Sequence, residues 1–515
     1  MNGWHPDWAA LQRAVRGQVI VPGTPGCNAT RTPAIAQFRY TRPRAIVLAA
    51  TATDVASAIR FARRFGLWTT PRSGGHDFAG RSSLGDIVLD VTPMNTVSLA
   101  DGVATVGAGA RLGDVYDALA MHGRTIPAGS GPTVGIAGLT LGGGLGLLGR
   151  THGLTSDHLR SARLVLADGR IVDSSEDRHG DLFWALRGAG GGQFGVVTSL
   201  VFSTVPAPTS TCFHLVWSSV DAAAVVDAWQ DWAPTAPDQL DATMRLTVSG
   251  EHGPSPVVNL LGAMHGTEDA ATRLLDTFVA SVGTVPVSEY WGRMPYREAL
   301  RRLSGLGSIE SDPDHPVQGD VHSRSEFFRR RLPRQVIGAL LDNLMAGPRP
   351  GQSRELSFTP WGGAYNRVST GATAFAHRDE LFMIEHVAVV DERAPRAERA
   401  AARDWLTRSW SSVHPWGSGR VYPNFPDPDL QDWHEAYHAT NYDRLVRVKR
   451  KYDPDSWFRF PQSIGSRTAD RPESVDLELV SKVAPHHGRR AAHNRKSQVA
   501  QHSEGERHDR QDIGS

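Results

Sequence analysis

One short glycine-containing loop constrains the fold of this chain more than any other segment. The loop, Arg72-Ser73-Gly74-Gly75-His76-Asp77, directly follows the run Leu67-Trp68-Thr69-Thr70, which has the composition of a β-strand. Glycines let backbone N–H groups come close to phosphate oxygens because no Cβ stands in the way. The segment therefore predicts a loop that binds a phosphate-containing ligand and presents one imidazole to it, although a plain turn between strands has the same residues.

Length and composition indicate a large globular protein without a strong surface field. The chain of 515 residues is too long for one ordinary core, so we expect two large lobes. Its net charge of +1 would not attract nucleic acid or an anionic membrane, so neither is a predicted partner. The two cysteines, Cys27 and Cys212, lie far apart and predict neither a disulfide framework nor a metal site. The first residues lack the features of a signal peptide, and no apolar run reaches membrane-spanning length, so we expect a cytoplasmic protein.

Residues 1–205 alternate β-type runs with helical ones, which favours an α+β or α/β lobe. We predict strands at Ala45–Leu48, Leu67–Thr70, Ile87–Asp90 and Val103–Val106, and helices at Thr53–Arg64 and Leu112–Leu119. Pro206-Ala207-Pro208 predicts a boundary, after which residues 206–435 have the pattern of a sheet backed by helices. Residues 436–465 return to a helix at Tyr442–Lys451, and the polar residues 466–515 predict a disordered tail with no assigned role.

Two later segments are also rich in glycine, Pro127–Gly146 and Leu186–Val197. So many glycines in apolar surroundings cost backbone entropy, and the close approach of a large planar ligand would account for them. Tight packing of two backbones is the alternative explanation. None of the three glycine segments has the Gly-x-Gly-x-x-Gly fingerprint directly after the first strand, and none ends as a P-loop does. Nicotinamide-binding and kinase-like functions are therefore disfavoured.

Together with several other segments, these motifs resemble the berberine bridge enzyme-like flavoproteins, which have the vanillyl-alcohol oxidase type of FAD-binding fold. The segments are Arg72–Asp77, Pro132–Gly146, Gly153–Asp157, Asp181–Gly188, Tyr422–Asn424, Asn441–Leu445, Lys451–Pro454 and Phe458–Ile464. The resemblance implies an α+β protein with a two-lobe PCMH-type FAD-binding domain at 1–205. It further implies an antiparallel-sheet substrate domain backed by helices at 206–435, and a C-terminal return to the FAD-binding domain at 436–465.

The resemblance implies that FAD is the cofactor and that it is attached covalently to His76 through the 8α-methyl group of the flavin ring. Many relatives form a second bond from a cysteine just before the Pro-Thr-Val-Gly string, but that position is Gly131 here, so we expect a single attachment. The remaining residues implied to contact FAD are Arg72, Ser73, Gly74, Gly75, Asp77, Gly80, Gly131, Thr133, Val134, Gly135, Gly138, Gly142, Gly143, Val197, Asn424 and Asn441.

Three residues carry the expected chemistry. Val134 occupies a position that the family associates with oxygen access, and a small valine is similar to the oxidases there. Tyr422 matches the tyrosine that acts as base in relatives, with simple packing as the alternative. A free phenol has a pKa of about 10, so Tyr422 needs a nearby cation or hydrogen bonds that favour the phenolate. Asn424 lies two residues on, on the same strand face, where it would hold flavin or substrate.

The segments Thr359–Arg367 and Thr373–Arg378 look like strands of the substrate domain. From them we predict that Tyr365 and His377 face the substrate and that Trp361 and Phe375 form flat apolar walls. Aromatic residues lie more often in a core than in a ligand site, which is the alternative for each of them.

The resemblance implies an FAD-dependent oxidase that takes a hydride from a small substrate and reduces O₂ to H₂O₂. A ring-bearing secondary metabolite is favoured over an oligosaccharide. Two alternatives remain open: a flavin dehydrogenase that uses an acceptor other than oxygen, and a protein that binds and neutralises a toxic drug or quinone. The sequence specifies neither the substrate nor the oligomeric state.

Overall fold

The structure is a computed structural model that describes residues 5–251, 253, 255–306, 319–347 and 349–466. The tail predicted at 466–515 lies outside the described residues apart from Ser466. In chain order, the described strands are β1 (Gln18–Ile20), β2 (Ala45–Leu48), β3 (Thr69–Arg72), β4 (Ile87–Asp90), β5 (Val97–Ala100), β6 (Val103–Gly107), β7 (Arg124–Thr125), β8 (Leu159–Val165), β9 (Ile171–Ser175), β10 (Val196–Ser203), β11 (Val205–Pro206), β12 (Thr209–Trp217), β13 (Leu240–Ser249), β14 (Val257–Met264), β15 (Ser288–Pro295), β16 (Asp320–Phe328), β17 (Gln352–Pro360) and β18 (Phe382–Val390).

Helices connect and cover these strands. In chain order, the described α-helices are α1 (Trp8–Ala14), α2 (Cys27–Arg31), α3 (Ala52–Phe65), α4 (Leu112–Ala120), α5 (Ile136–Leu141), α6 (Gly149–His152), α7 (Gly180–Leu186), α8 (Ala222–Trp232), α9 (Glu268–Val282), α10 (Tyr296–Ser304), α11 (Arg334–Met345), α12 (Ala364–Arg367), α13 (Arg396–Val413), α14 (Trp433–His438) and α15 (Tyr442–Tyr452). Helix α3 shows how local sequence sets an element. Thr51 and Asp54 form a capping box at its start, and Gly66 ends it in the left-handed conformation.

The strands form three main sheets. The first has the order β1-β2-β4-β3, in which β2, β4 and β3 are parallel and β1 is antiparallel to β2. The second is antiparallel, with the order β5-β6-β10-β8-β9. A third, seven-stranded antiparallel sheet has the order β15-β12-β14-β13-β17-β18-β16 and takes its strands from residues 209–390. Helices and mixed sheets of this kind are the α+β architecture that the sequence predicts.

Two large apolar cores are present among the described residues. The first joins the two smaller sheets with α3 and α4, and it includes Leu445 and Val448 of α15. The second fills the space between the seven-stranded sheet and α8, α9, α11 and α13. Strand β13 sends Met244, Leu246 and Val248 into this second core. Because successive side chains in a strand point to opposite faces, the residues between them face away from the helices.

Most predicted elements are present, with ends displaced by up to two residues. The strand predicted at Leu67–Thr70 lies at Thr69–Arg72, so the glycine loop begins directly at its end. The strands predicted across Thr359–Arg367 and Thr373–Arg378 are wrong. Strand β17 ends at Pro360, α12 follows, and residues 373–378 have no regular structure. Gly362 and Gly363 have φ angles of 93° and 55°, and this turn ends the strand. The domain boundaries at 205 and 435 stay predictions.

Candidate active site

Three glycine segments that are far apart in sequence meet around one cavity. The cavity is lined by the loop after β3, by residues around the start of α5, and by the segment before β10. The predicted site residues on its wall are Arg72, Ser73, Gly74, Gly75, His76, Asp77, Gly131, Val134, Gly135, Gly138, Val197, Tyr422 and Asn424. The opposite wall comes from β13, β17 and β18 of the large sheet. The fold thus assembles the motifs that the sequence presents separately.

The glycines are needed where these loops touch. A Cβ on Gly74 would collide with the backbone of Gly135, and a Cβ on Gly135 would collide with Ser73 and Gly74. By contrast, a Cβ on Gly138 would have no atom within 4 Å, although Gly138 lies on the cavity wall. The first two glycines therefore allow two backbones to pack together, and Gly138 leaves a flat open surface. An open, side-chain-free surface next to packed loop amides fits a planar ring joined to a pyrophosphate, as in FAD.

His76 lies half-buried on this wall with one fixed hydrogen-bond partner. Its Nε2 atom is 2.9 Å from the Thr133 hydroxyl. Burial, together with the nearby Arg111 charge, lowers the pKa of His76 to about 4. The imidazole is therefore neutral at physiological pH, so it retains the lone pair that a nucleophile requires. Asp77 supports the loop because its Oδ1 accepts hydrogen bonds from the backbone N–H groups of Ala79 and Arg81.

Tyr422 lies at the inner wall of the cavity and is only 2% exposed. Its phenol oxygen accepts hydrogen bonds from the backbone N–H groups of Gly144 at 3.0 Å and Leu145 at 3.1 Å. The Asn424 side-chain amide donates a third, also at 3.1 Å. Burial raises the pKa of Tyr422, and these three hydrogen bonds act in the opposite direction. Hydrogen bonds of the kind that the sequence analysis required are present at this oxygen.

The large sheet contributes a polar wall that the sequence analysis missed. It consists of Asp241, Thr243 and Arg245 on β13, Glu355, Ser357 and Thr359 on β17, and Glu385 on β18. Burial raises the pKa of Asp241 to about 7, against the opposing effect of the Arg150 charge. The Glu385 carboxylate accepts a hydrogen bond of 2.6 Å from the Ser323 hydroxyl. Polar residues at every second position of a β run were the available signal, but it shows only once the strand register is known.

The four predicted substrate residues do not line the cavity. Trp361, Tyr365, His377 and Phe375 are at most 1% exposed and pack together behind the wall, with Trp361 stacked on Tyr365 at 4.1 Å between ring centroids. The Tyr365 hydroxyl is engaged by the backbone of Gly146 instead. For these residues the structure favours the core alternative, because large aromatic side chains gain most from full burial.

Five residues predicted to contact FAD lie outside the cavity lining. Thr133 lies next to it, with its hydroxyl 2.9 Å from Nε2 of His76. A Cβ on Gly80 would meet the Phe38 ring, one on Gly142 would meet the Asn424 side chain, and one on Gly143 would meet the Phe375 ring. The Asn441 amide donates to the carbonyls of Thr370, Thr373 and Ala374. In this structure Gly80, Gly142, Gly143 and Asn441 have packing or hydrogen-bonding roles.

Comparison with known proteins agrees with this geometry. A family model described as "FAD binding domain" matches residues 43–175, and one described as "Berberine and berberine like" matches residues 421–465. The chain is 33% identical to the uncharacterized FAD-linked oxidoreductase YvdP of Bacillus subtilis (strain 168), over 87% of this chain and 98% of that protein. The chain belongs to the berberine bridge enzyme-like family of FAD-linked oxidoreductases. It is also 28% identical to reticuline oxidase of Papaver somniferum, over 84% of this chain and 86% of that protein.

Solved structures of this family have the same fold. BBE-like 1 of Physcomitrella patens matches with a TM-score of 0.80 and 28% identity, over 89% of this chain and 98% of that chain. A chitooligosaccharide oxidase matches with a TM-score of 0.77 and 25% identity, over 89% and 99% of the respective chains. The predicted PCMH-type FAD-binding fold and α+β class are confirmed. This berberine bridge enzyme-like protein is an FAD-dependent oxidoreductase, and its described residues include no helix with the length and apolar character to cross a bilayer.

Proposed function

We propose that this protein is an oxidase whose FAD is attached through His76 alone and whose substrate is a ring-bearing natural product. The observation that carries the proposal is the meeting of three glycine segments, a neutral imidazole and a buried tyrosine around one cavity. A bound FAD would supply the acceptor for a hydride from the substrate, with dioxygen as the final electron acceptor and hydrogen peroxide as the product. Substrate and dioxygen are thus the proposed partners.

The attachment to His76 is supported by the state of its ring. The half-buried, neutral imidazole held by Thr133 is oriented and unprotonated, as an attacking nitrogen must be. Attachment would replace one C–H bond of the flavin methyl group and one N–H bond of the imidazole by a C–N bond, and dioxygen would take up the two hydrogens with their electrons as hydrogen peroxide. Gly131 offers no thiol for a second bond, which supports a single attachment. Val134 lies on the same wall and is our proposed point of oxygen access.

The protein's own residues would supply orientation and proton transfer. Tyr422 would take the proton from a hydroxyl, phenol or amine of the substrate at its Oη atom, held by three N–H donors. Glu385 is the second candidate base, because its buried carboxylate faces the same cavity. The polar wall of the large sheet supports a substrate that carries hydroxyl or amine groups on its ring system. A cytoplasmic location is also proposed, supported by the absence of a bond between Cys27 and Cys212.

The covalent attachment is tested by visible spectroscopy of the purified protein before and after acid precipitation. We expect yellow colour to stay in the wild-type pellet and to leave the pellet of His76→Ala. His214→Ala is the matched control, because His214 is also half-buried and bonded to one side chain, Asn259, but lies away from the cavity. Colour that washes out of the wild-type pellet would contradict the attachment.

Oxidase activity is tested separately with a panel of hydroxylated aromatics, glycosides and cyclic amines. A panel compound that bleaches the flavin without air should release hydrogen peroxide when air is admitted. Reduced flavin that persists for minutes in air would favour the dehydrogenase. Stoichiometric binding of a quinone from the panel with no turnover would favour the drug-binding protein.

A further inference from the structure

We propose that Asn424, together with the backbone amides of Gly144 and Leu145, stabilises the phenolate form of Tyr422 against the effect of burial. Asn424 is thus a positioning residue that acts through Tyr422. The inference rests on the proposed function, because it concerns the residue proposed there as base. It also gives a structural role to the run of three glycines at 142–144, which do not line the cavity.

The number of donors around the Tyr422 oxygen matches the phenolate and exceeds what the phenol accepts. Three N–H groups point at this one atom, at 3.0 Å from Gly144, 3.1 Å from Leu145 and 3.1 Å from Asn424. A neutral phenol oxygen has two lone pairs and its own O–H, whereas a phenolate oxygen has three lone pairs. The three donors therefore pair fully only with the ionised oxygen. Such preorganised N–H donors at a buried oxygen are the usual device for stabilising an oxyanion.

Asn424 is fixed in the orientation that this role requires. Its Nδ2 group donates to the Leu139 carbonyl at 2.9 Å as well as to Tyr422, so both of its hydrogens are used. Its Oδ1 atom lies directly over Gly142, where any Cβ would collide with it. Gly142 therefore leaves the space in which the amide sits, and a side chain there would push the donor away from Tyr422.

The next two glycines turn the chain so that the backbone donors face the oxygen. Gly143 and Gly144 have φ angles of 116° and 86°, which other residues rarely adopt. A Cβ on Gly144 would also collide with Thr155 and Leu139. The backbone of this turn thus presents the N–H groups of Gly144 and Leu145 to one acceptor.

The direction of the effect follows from two opposing influences. Burial is the larger influence and leaves the pKa of Tyr422 above its ordinary value, while the hydrogen bonds from Asn424, Leu145 and Gly144 limit this rise. Removal of one donor leaves burial less opposed, so the pKa of Tyr422 must rise. A hydrogen bond to a charged oxygen accounts for a shift of about one pH unit or more.

The test is a pH titration of Tyr422 in the full chain with its flavin. The titration is monitored by NMR of protein labelled at the Cζ carbon of tyrosine. The chain has 9 tyrosines, and the Tyr422 signal is the one that Tyr422→Phe lacks. We expect the midpoint for Tyr422 to rise by about one pH unit or more in Asn424→Leu, which keeps the volume but removes the donor. Gly142→Ala should raise it in the same direction, because the new Cβ displaces the Asn424 amide.

The matched control is Gly338→Ala, a glycine in α11 whose added Cβ would have no atom within 4 Å. It should leave the Tyr422 midpoint unchanged. Equal midpoints in the wild type and Asn424→Leu would overturn the inference. So would a wild-type Tyr422 signal that never moves at any pH at which the protein stays folded.

Whether Tyr422 acts as the base is tested separately, by the activity of Tyr422→Phe. If Tyr422→Phe still turns over the panel compound that reduces the wild-type flavin, the proposed base is wrong. A midpoint that nevertheless rises in Asn424→Leu would leave the three-donor arrangement standing. If Tyr422→Phe is inactive and the midpoints are equal, only the role of Asn424 fails.

Discussion

At the scale of single residues, we expect the titration of Asp241 to contribute to the pH dependence of the free energy of unfolding. This carboxyl is 5% exposed, and burial raises its pKa to about 7 from an ordinary value near 4. Between those values the folded state holds a proton that the unfolded state has lost, so the free energy of unfolding falls as pH rises. Asp241→Asn removes this titration. We expect the loss of stability between pH 5 and 7.5, measured by urea unfolding, to be smaller by about 2 kcal/mol in the variant.

Comparing the pH dependence of stability in the wild type and in Asp241→Asn separates the contribution of Asp241 from that of the buried histidines. Burial lowers the pKa of His386 and His438 to about 3, so these groups stabilise the folded protein as pH rises toward their unfolded value near 6.5. Their contribution has the opposite sign to that of Asp241 and is common to the wild type and the variant. Parallel curves of stability against pH for the two proteins would show that Asp241 does not titrate in this range.

The sequence located one half of the site better than the other. The loop from Arg72 to Asp77 and the turn around Val134 both lie on the cavity wall. They could be predicted because each motif consists of consecutive residues. The polar wall that includes Asp241 and Glu385 depends on which alternate residues of separate strands face inward. Aromatic composition does not decide the role of Trp361, which is fully buried, because a large ring suits a core and a ligand wall equally.

Between neighbouring strands, Arg72 is a structural residue at the end of β3. Its Nε atom donates to Asp90 at 2.9 Å on the parallel strand β4, where the two residues are register partners. Its terminal nitrogens donate to the carbonyls of Thr30 and Arg31. We expect Arg72→Met to lower the free energy of unfolding by about 3–5 kcal/mol, because Asp90 is left buried without its partner charge. Urea unfolding monitored by circular dichroism measures this change.

The double variant separates the lost ion pair from lost packing. Adding Asp90→Asn to Arg72→Met removes the uncompensated charge, so part of the stability should return. If Arg72→Met alone lowers the free energy of unfolding by less than about 1 kcal/mol, the Arg72–Asp90 pair contributes no more than an exposed ion pair.

Strands and helices with local signals were predictable, and turns between them were not. The helix at Ala52–Phe65 begins with a capping box and ends at glycine, so its limits follow from a few neighbouring residues. Residues 361–378 offered apolar and aromatic residues typical of strands, yet the chain turns at Gly362 and Gly363. The order of the seven strands in the large sheet joins residues more than a hundred positions apart, and no local pattern specifies such pairing.

In the protein as a whole, Arg150 ties the helix that follows the glycine-rich segment to the large sheet and its helices. The side chain of Arg150 is buried, and its terminal nitrogens donate to the carbonyls of Ala233, Pro234, Ala236 and Trp361 at 2.6–3.2 Å. One guanidinium thus holds the loop after α8 and the end of β17 against the wall of the cavity. Lysine carries the same charge, but its single nitrogen cannot reach four carbonyls in this planar arrangement.

We therefore expect Arg150→Lys to lower the free energy of unfolding by about 3 kcal/mol and to lower the fraction of purified protein that carries attached flavin. Arg163→Lys is the matched control, because Arg163 is about half exposed and, among the described residues, its side chain pairs with Asp173 alone, so its loss should cost less than about 1 kcal/mol. Unfolding followed by tryptophan fluorescence, together with the flavin absorbance of each purified variant, measures both effects. Equal losses in the two variants would show that the four carbonyl contacts of Arg150 add nothing beyond an ordinary surface pair.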